Sequence, residues 1–212
     1  MSTLSSIMRQ LVSVLQDPVV FCLLLFLALA IVFIGIAVIE WLVERRHLRV
    51  SMPKLMDELR ATKNSEELRV AIDGSGLIKS QKAVLTELTS HPELSVDERE
   101  ALAVRMLEEE QAKYDLRITW TNLIAKLAPM FGLMGTLIPL GPGLIALGDG
   151  DTATLSAALL VAFDTTVVGL VAAAIATLVT TARKRWYKNY MSMLEALEQL
   201  VIEEEAHRAG QE

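Results

Sequence analysis

The sequence has one cysteine and three histidines in 212 residues, which limits the chemistry that it can carry. Cys22 lies inside an apolar stretch, so neither an intrachain disulfide nor a cysteine-based zinc cluster is expected. His47, His91 and His207 are far apart and lack the spacing of metal ligands. No phosphate-binding glycine loop of the Walker type is present. We therefore expect neither an enzyme nor a cofactor, and any energy used should come from an ion gradient.

Apolar residues, in contrast, make up 52% of the chain. This composition, with a positive mean hydropathy, is typical of a membrane protein and not of a soluble domain. Three apolar stretches reach the roughly 20 residues that cross a hydrocarbon core. The first is too long for a signal peptide and runs directly into arginines. The sequence thus predicts three transmembrane helices, at residues 17–42, 118–147 and 153–182.

The remaining segments flank or connect these spans. Residues 1–16 place apolar side chains on one helical face, which predicts an amphipathic helix on the membrane surface. Residues 43–117 show helical spacing and predict a helical insertion, whose last helix starts at a capping box of Ser95 and Glu98 and continues unbroken into the second span. An outer turn and a tail helix complete the chain, at residues 148–152 and 183–212. The predicted fold class is an all-α membrane protein whose long helices extend into a cytoplasmic helical domain.

Lysine and arginine residues are concentrated on one side of the predicted spans. The turn at 148–152 has none, whereas arginines or lysines lie after the first span, before the second and after the third, at 45–49, 117 and 183–188. Because such residues are enriched on the cytoplasmic side, we expect the N-terminus outside and the C-terminus inside. The expected location is the cytoplasmic, or inner, membrane.

The second and third spans carry small and hydroxylated residues at helical spacing. Counted from the turn, Thr136 and Thr166 lie at similar depth. Helical steps from these two threonines give a small, partly polar stripe on each helix: Gly169, Ala173, Thr177 and Thr180 on the third span, and Gly132, Pro129, Ala125 and Asn122 on the second. Two interpretations remain open. The small residues let the helices approach closely while each threonine bonds its own helix, or the aligned stripes line a polar passage.

Two motifs in these spans carry a resemblance to a known family. The segment APMFGLMGT, from Ala128 to Thr136, resembles the second-helix signature of the MotA/TolQ/ExbB proton channel family. The segment TVVGLVAAA, from Thr166 to Ala174, is similar to the third-helix signature of that family. Three spans instead of four point to the TolQ/ExbB branch.

The resemblance implies a homo-oligomeric ring, typically a pentamer, around a single-span partner of the ExbD, TolR or MotB kind. In that arrangement a transmembrane Asp of the partner carries the proton, and the ring contributes the hydroxyls of Thr136 and Thr166. The function implied is a membrane motor that converts the proton gradient into mechanical work, and outer-membrane import, envelope maintenance, defence and motility all remain open as the process that it drives.

We assign further residues of the two spans to the ion pathway or to helix packing. The pathway set is Thr136, Thr165, Thr166, Asp164, Thr177 and Thr180, and the packing set is Pro129, Gly132, Gly135, Gly169 and Ala173. The motifs do not account for Asp164, which lies nearly opposite Thr166 on a helical wheel and is also placed to face a neighbouring subunit.

Two other functions compete with the motor. In a passive membrane scaffold, the small stripes would only pack helices. A solute transporter is disfavoured, because three spans without an internal inverted repeat cannot alone build a substrate site at the membrane midplane.

Overall fold

The computed structural model describes residue 7 and residues 10–12, 14–47, 52–62, 64–91 and 93–209. Within these ranges every regular element is a helix, which confirms the all-helical fold. The helices are α1 (Gln16–His47), α2 (Met52–Arg60), α3 (Ser65–Gly74), α4 (Lys79–Thr89), α5 (Val96–Gly148) and α6 (Thr152–Ala209). Three of them, α1, α5 and α6, are long and apolar enough to cross a membrane. Most of the predicted surface helix at 1–16 lies outside the described residues, so that assignment stays a prediction.

The chain divides into two compact units. The first, which we call the membrane unit, comprises Met1–Ala37 and Ile118–Ala182, and the second, the head unit, comprises Val38–Arg117 and Arg183–Glu212. Each unit takes one segment from the N-terminal part of the chain and at least one segment from α5 or α6. Each of the three long helices, α1, α5 and α6, therefore contributes residues to both units.

In the membrane unit, α1 packs on α5 and α6 through small and aromatic side chains. Ala30 is fully buried in a cluster with Ala128 and Ala172. The rings of Phe26 and Phe131 meet edge to face, with centroids 5.2 Å apart and planes at 87°. Many aliphatic side chains on the outer faces of the three helices are exposed. Such faces suit contact with lipid or with other protein chains.

A tight turn joins α5 to α6. Gly150 has φ of 82°, a left-handed conformation that glycine adopts without steric cost. The Asp151 carboxylate accepts hydrogen bonds from the backbone N–H of Ala153 at 3.1 Å and of Thr154 at 3.0 Å. These bonds satisfy two of the free donors at the start of α6. The turn therefore ends one helix and caps the next within a few residues.

In the head unit, three short helices pack against segments of α5 and α6. The core consists of aliphatic side chains with one tyrosine, among them Leu59, Leu68, Ile72, Leu85, Leu88, Leu194, Leu197 and Tyr190. The Tyr190 hydroxyl lies 2.7 Å from the hydroxyl of Ser80. The insertion thus builds its core with the tail helix, although the two are far apart in sequence.

The start of α5 is fixed by the predicted capping box, which the structure confirms. The Glu98 carboxylate accepts hydrogen bonds from the Ser95 backbone N–H at 2.9 Å and from its hydroxyl at 2.7 Å. The Ser95 hydroxyl oxygen accepts one from the Glu98 N–H at 3.4 Å. From Val96 the helix runs to Gly148 and includes three prolines. In membrane helices, neighbouring groups can satisfy the backbone oxygens that a proline leaves free.

Candidate ion-pathway site

In the membrane unit, α5 and α6 make close contacts at glycines of the two motifs. A Cβ atom added at Gly169 would lie 2.7 Å from the carbonyl oxygen of Ala128 and 3.0 Å from the Cα of Gly132. A Cβ added at Gly135 would lie 2.7 Å from both the Cβ and the Oγ1 of Thr165. Real side chains essentially never come this close, so the two helices are in contact backbone to backbone at Gly169 and backbone to side chain at Gly135, as small residues allow in membranes. The glycines of the two motifs therefore set the separation of α5 and α6.

This contact also sets the level of the two motif threonines. Gly135 packs on Thr165, and Thr136 and Thr166 each lie one residue beyond this contact, in opposite directions along the antiparallel pair, so the two differ in level by only about 3 Å, or two helical rises. The Thr136 hydroxyl donates to the carbonyl of Leu133 at 2.7 Å, and the Thr166 hydroxyl donates to the carbonyl four residues earlier at 2.9 Å. Both side chains are half-buried in the single chain. Because each oxygen keeps lone pairs, both hydroxyls can still accept a hydrogen bond from outside the helix.

The other threonines of the pathway set lie in different environments. Thr165 is buried against Gly135, and its hydroxyl lies 2.9 and 3.0 Å from two carbonyl oxygens of its own helix. Thr180 is buried and donates to the carbonyl of Ala176 at 2.7 Å. Thr177 is exposed and donates to the carbonyl of Ala173 at 2.7 Å. In the single chain, Thr177 is therefore exposed and Thr136 and Thr166 are half-buried, whereas Thr165 and Thr180 are buried.

Asp164 lies on an exposed part of α6, next to Phe163, whose side chain is 65% exposed. A carboxylate inside a span is costly against lipid and usually meets protein or water. The structure therefore places Asp164 away from the α5 contact, where a further chain or water has to cover it. Of the packing set, Ala173 is buried in the alanine cluster around Ala30, and Pro129 is half-buried.

A polar cluster in the head unit was missed by sequence reasoning. The buried Arg183 donates from Nε to the Oε2 atom of Glu40 at 3.0 Å, and a terminal nitrogen of Arg117 lies 3.7 Å from the Oε1 atom. The Tyr187 hydroxyl donates to the same Oε2 at 3.5 Å. One carboxylate thus joins α1, α5 and α6. We call these four residues the Glu40 cluster.

The sequence did contain a signal for this cluster. One acidic residue, Glu40, lies at the cytoplasmic end of the first predicted span, and Arg117 and Arg183 flank the corresponding ends of the second and third spans. Taken alone, those arginines predict only the orientation of the chain. Among the described residues, no three His, Cys, Asp or Glu side chains are grouped in a way that would hold a metal ion.

The architecture and the geometry of the site define a class of protein. Three helices are long enough to span a membrane, and two of them meet through glycines beside a pair of threonines that differ in level by about 3 Å. This is a multi-pass helical membrane protein with polar groups suited to ion passage.

The model of the MotA/TolQ/ExbB proton channel family matches residues 79–196, more than half of the chain, and the chain belongs to this family. The resemblance carried by the two motifs is thereby confirmed. Membership supports a function of the proton-channel type in a membrane, which is the kind of activity that the family description states. No curated protein matches the chain.

Proposed function

We propose that the chain is the ring-forming subunit of a proton-driven membrane motor, built as a homo-oligomer, most simply a pentamer, around a single-span partner. The proposal places it in the cytoplasmic membrane with the N-terminus outside, as the distribution of arginines and lysines favours. The partner supplies a transmembrane Asp that is protonated and deprotonated in turn. The chain itself performs no covalent chemistry in this proposal.

The observation that carries the proposal is the small difference in level, about 3 Å, between Thr136 and Thr166 beside the glycine contact. A hydroxyl can accept a hydrogen bond from a neutral carboxylic acid, or donate one to a carboxylate after it rotates away from its own helix. It therefore stabilises both states of a partner acid without adding the desolvation cost of a second buried charge. The hydroxyls of Thr136 and Thr166 together form such a hydrogen-bonding site for the partner acid on each subunit.

The driving force for motion is the movement of charge across the membrane. One elementary charge is worth about 2.3 kcal/mol per 100 mV. Protonation of the partner acid removes its charge. The partner helix can then move from the threonine pair of one subunit to the threonine pair of the next. In this arrangement the exposed Asp164 faces the neighbouring subunit of the ring, because lipid is a costly surrounding for a carboxylate.

The variant Thr166→Val tests the proposal, because valine keeps the branched shape and removes the hydroxyl. We expect proton flux in vesicles that contain the chain and its partner to fall by about tenfold or more, since one good hydrogen bond to a charged group is worth about 1.5–3 kcal/mol. The matched variant Thr166→Ser keeps the hydroxyl and should retain most of the flux. Equal flux in wild type and in Thr166→Val would rule out the role of this residue.

A passive scaffold is the second candidate function. It is favoured by one specific observation: all five threonines of the pathway set donate to carbonyls of their own helix. If packing is their only role, the Val and Ser variants of Thr166 should behave alike in every assay. If the two variants differ in proton flux but have equal thermal stability, the result supports the motor and contradicts the scaffold.

A further inference from the structure

A groove in the head unit runs between α5 and α6, and no described cation lines it. It has a volume of about 510 Å³, with an apolar floor that includes Ala103, Leu107 and Ile202. Four carboxylates line it, from Glu100 on α5 and from Glu195, Glu198 and Glu203 on α6. The lining is therefore acidic along both helices and apolar in between.

Glu198 distinguishes this groove from an ordinary acidic surface. Its side chain is buried, with the residue only 3% exposed, yet it lines the groove. The Oε1 atom has no hydrogen-bond partner. Burial, together with the neighbouring Glu195, raises the pKa of the Glu198 carboxyl to about 7. A buried carboxylate oxygen without a donor costs free energy, and a cationic donor entering the groove would remove that cost.

The dimensions and the lining indicate what kind of cation fits. The groove has the volume of sites that hold drug-sized groups and is far larger than a bare ion needs. Val104, on the groove wall, is 57% exposed and offers an apolar contact. An arginine or lysine side chain combines an apolar stem with a cationic head, so it matches both the floor and the carboxylates.

We propose that this groove binds a basic amphipathic helical segment of the single-span partner, with one arginine or lysine head placed against Glu198. The proposal rests on the proposed function for the existence of that partner. A foreign segment is favoured over a second copy by charge, because the chain carries a net charge of −6 and every copy repeats it. Arg105 and Lys113, two exposed cations of this part of α5, already form ion pairs with Glu109 and Glu110. This also disfavours a second copy of the chain as the source of the cation in the groove.

A peptide titration tests the chemistry of the groove. The probe is a dye-labelled leucine–alanine helical peptide with two arginines one turn apart, added to the full chain in phosphatidylcholine nanodiscs. We expect Glu198→Gln to weaken its binding about tenfold or more, and citrulline in place of arginine to do the same, because each change removes one charge of the pair. The control Glu108→Gln, an exposed glutamate of α5 outside the groove, should leave binding unchanged. Equal binding of the citrulline peptide, or of the arginine peptide to Glu198→Gln, overturns the proposal.

The same titration has a pH dependence with a defined sign. Glu198 must be ionised to bind the cation, so affinity should rise between pH 6 and pH 8, around the raised pKa of about 7. Of the other charged groups that line the groove, Glu100 lies across from it on α5 and Glu195 and Glu203 lie beside it on α6, and the pair Arg99–Glu205 joins the same two helices. The rise should be absent in Glu198→Gln, and an unchanged rise would assign the titration to another of these groups and overturn the role of Glu198.

Photo-crosslinking identifies the occupant in cells. A crosslinking amino acid at Val104 of the full chain should capture a single-span membrane protein through a basic segment on the cytoplasmic side. Capture of a second copy of this chain, or no capture at all, overturns the proposal. Peptide binding requires no proton flux, and the flux assay on Thr166 requires no groove, so failure of one proposal is distinguishable from failure of the other.

Discussion

Substituting alanine for Gly169 is expected to force α5 and α6 apart and to abolish proton flux. The new Cβ would lie 2.7 Å from the Ala128 carbonyl oxygen and 3.0 Å from the Gly132 Cα, both backbone atoms that cannot rotate away. Overpacking of this kind costs about 1–3 kcal/mol. For a chain of this length we expect a fall in Tm of about 3–10 °C. Thermal unfolding of the purified protein and flux in vesicles measure the two effects.

Flux should be more sensitive than stability to this substitution. The glycine contact fixes the level and spacing of Thr136 and Thr166, so a shift of a few tenths of an ångström moves both hydroxyls relative to the partner acid. Hydrogen bonds weaken steeply when their geometry is disturbed. A loss of flux in Gly169→Ala at a temperature where the protein stays folded would separate positioning from folding.

Gly141→Ala is the matched control, because it also adds one methyl group to a glycine in a membrane-spanning helix. A Cβ at Gly141 meets nothing within 4 Å. Alanine is favoured over glycine in a helix by about 1 kcal/mol, so Tm should stay constant or rise slightly. If Gly169→Ala and Gly141→Ala behaved alike, close contact at Gly169 would not matter for either stability or flux.

Features that depend on local sequence could be predicted. The length of the apolar stretches predicts three spans, and the structure has three helices that are long enough. The residues Ser95 and Glu98 predict the start of α5, because a capping box is formed by groups three residues apart. The family resemblance was also readable, because its motifs are short and contiguous. In each case the signal and the structure that it specifies lie within a few residues of each other.

Features that depend on contacts between distant residues could not be predicted. Thr165, the chain neighbour of Thr166, was assigned to the ion pathway from the sequence, whereas its burial depends on Gly135 of another helix. The unpartnered oxygen of Glu198 depends on which side chains of α5 cover it. Glu40 and Arg183 are 143 positions apart, and no periodicity within either segment links them. Such pairs become visible only when the packing of the helices is known.

The Glu40 cluster gives the prediction with the largest effect on stability. Glu40→Gln keeps the size of the side chain and one acceptor oxygen but removes the charge that faces Arg183. Arg183 is only 3% exposed, so the substitution leaves a buried guanidinium that faces a neutral amide. Removing one member of a buried ion pair costs about 3–5 kcal/mol. Because the Glu40 side chain is 24% exposed, we expect a loss at the lower end, about 3 kcal/mol.

The pair formed by Arg105 and Glu109 supplies the control, since it is also an arginine–glutamate contact in the head unit, with its Nε and Oε1 atoms 3.1 Å apart. Its side chains are 77% and 60% exposed, so Glu109→Gln should change the free energy of unfolding by no more than about 1 kcal/mol. The comparison tests burial as the cause, because distance and chemistry are nearly the same in the two pairs. If Glu40→Gln lowered Tm no more than Glu109→Gln, the cluster would not hold α1 to the other two helices. A large difference would show that one carboxylate secures all three long helices, because it is the group that Arg117, Arg183 and Tyr187 share.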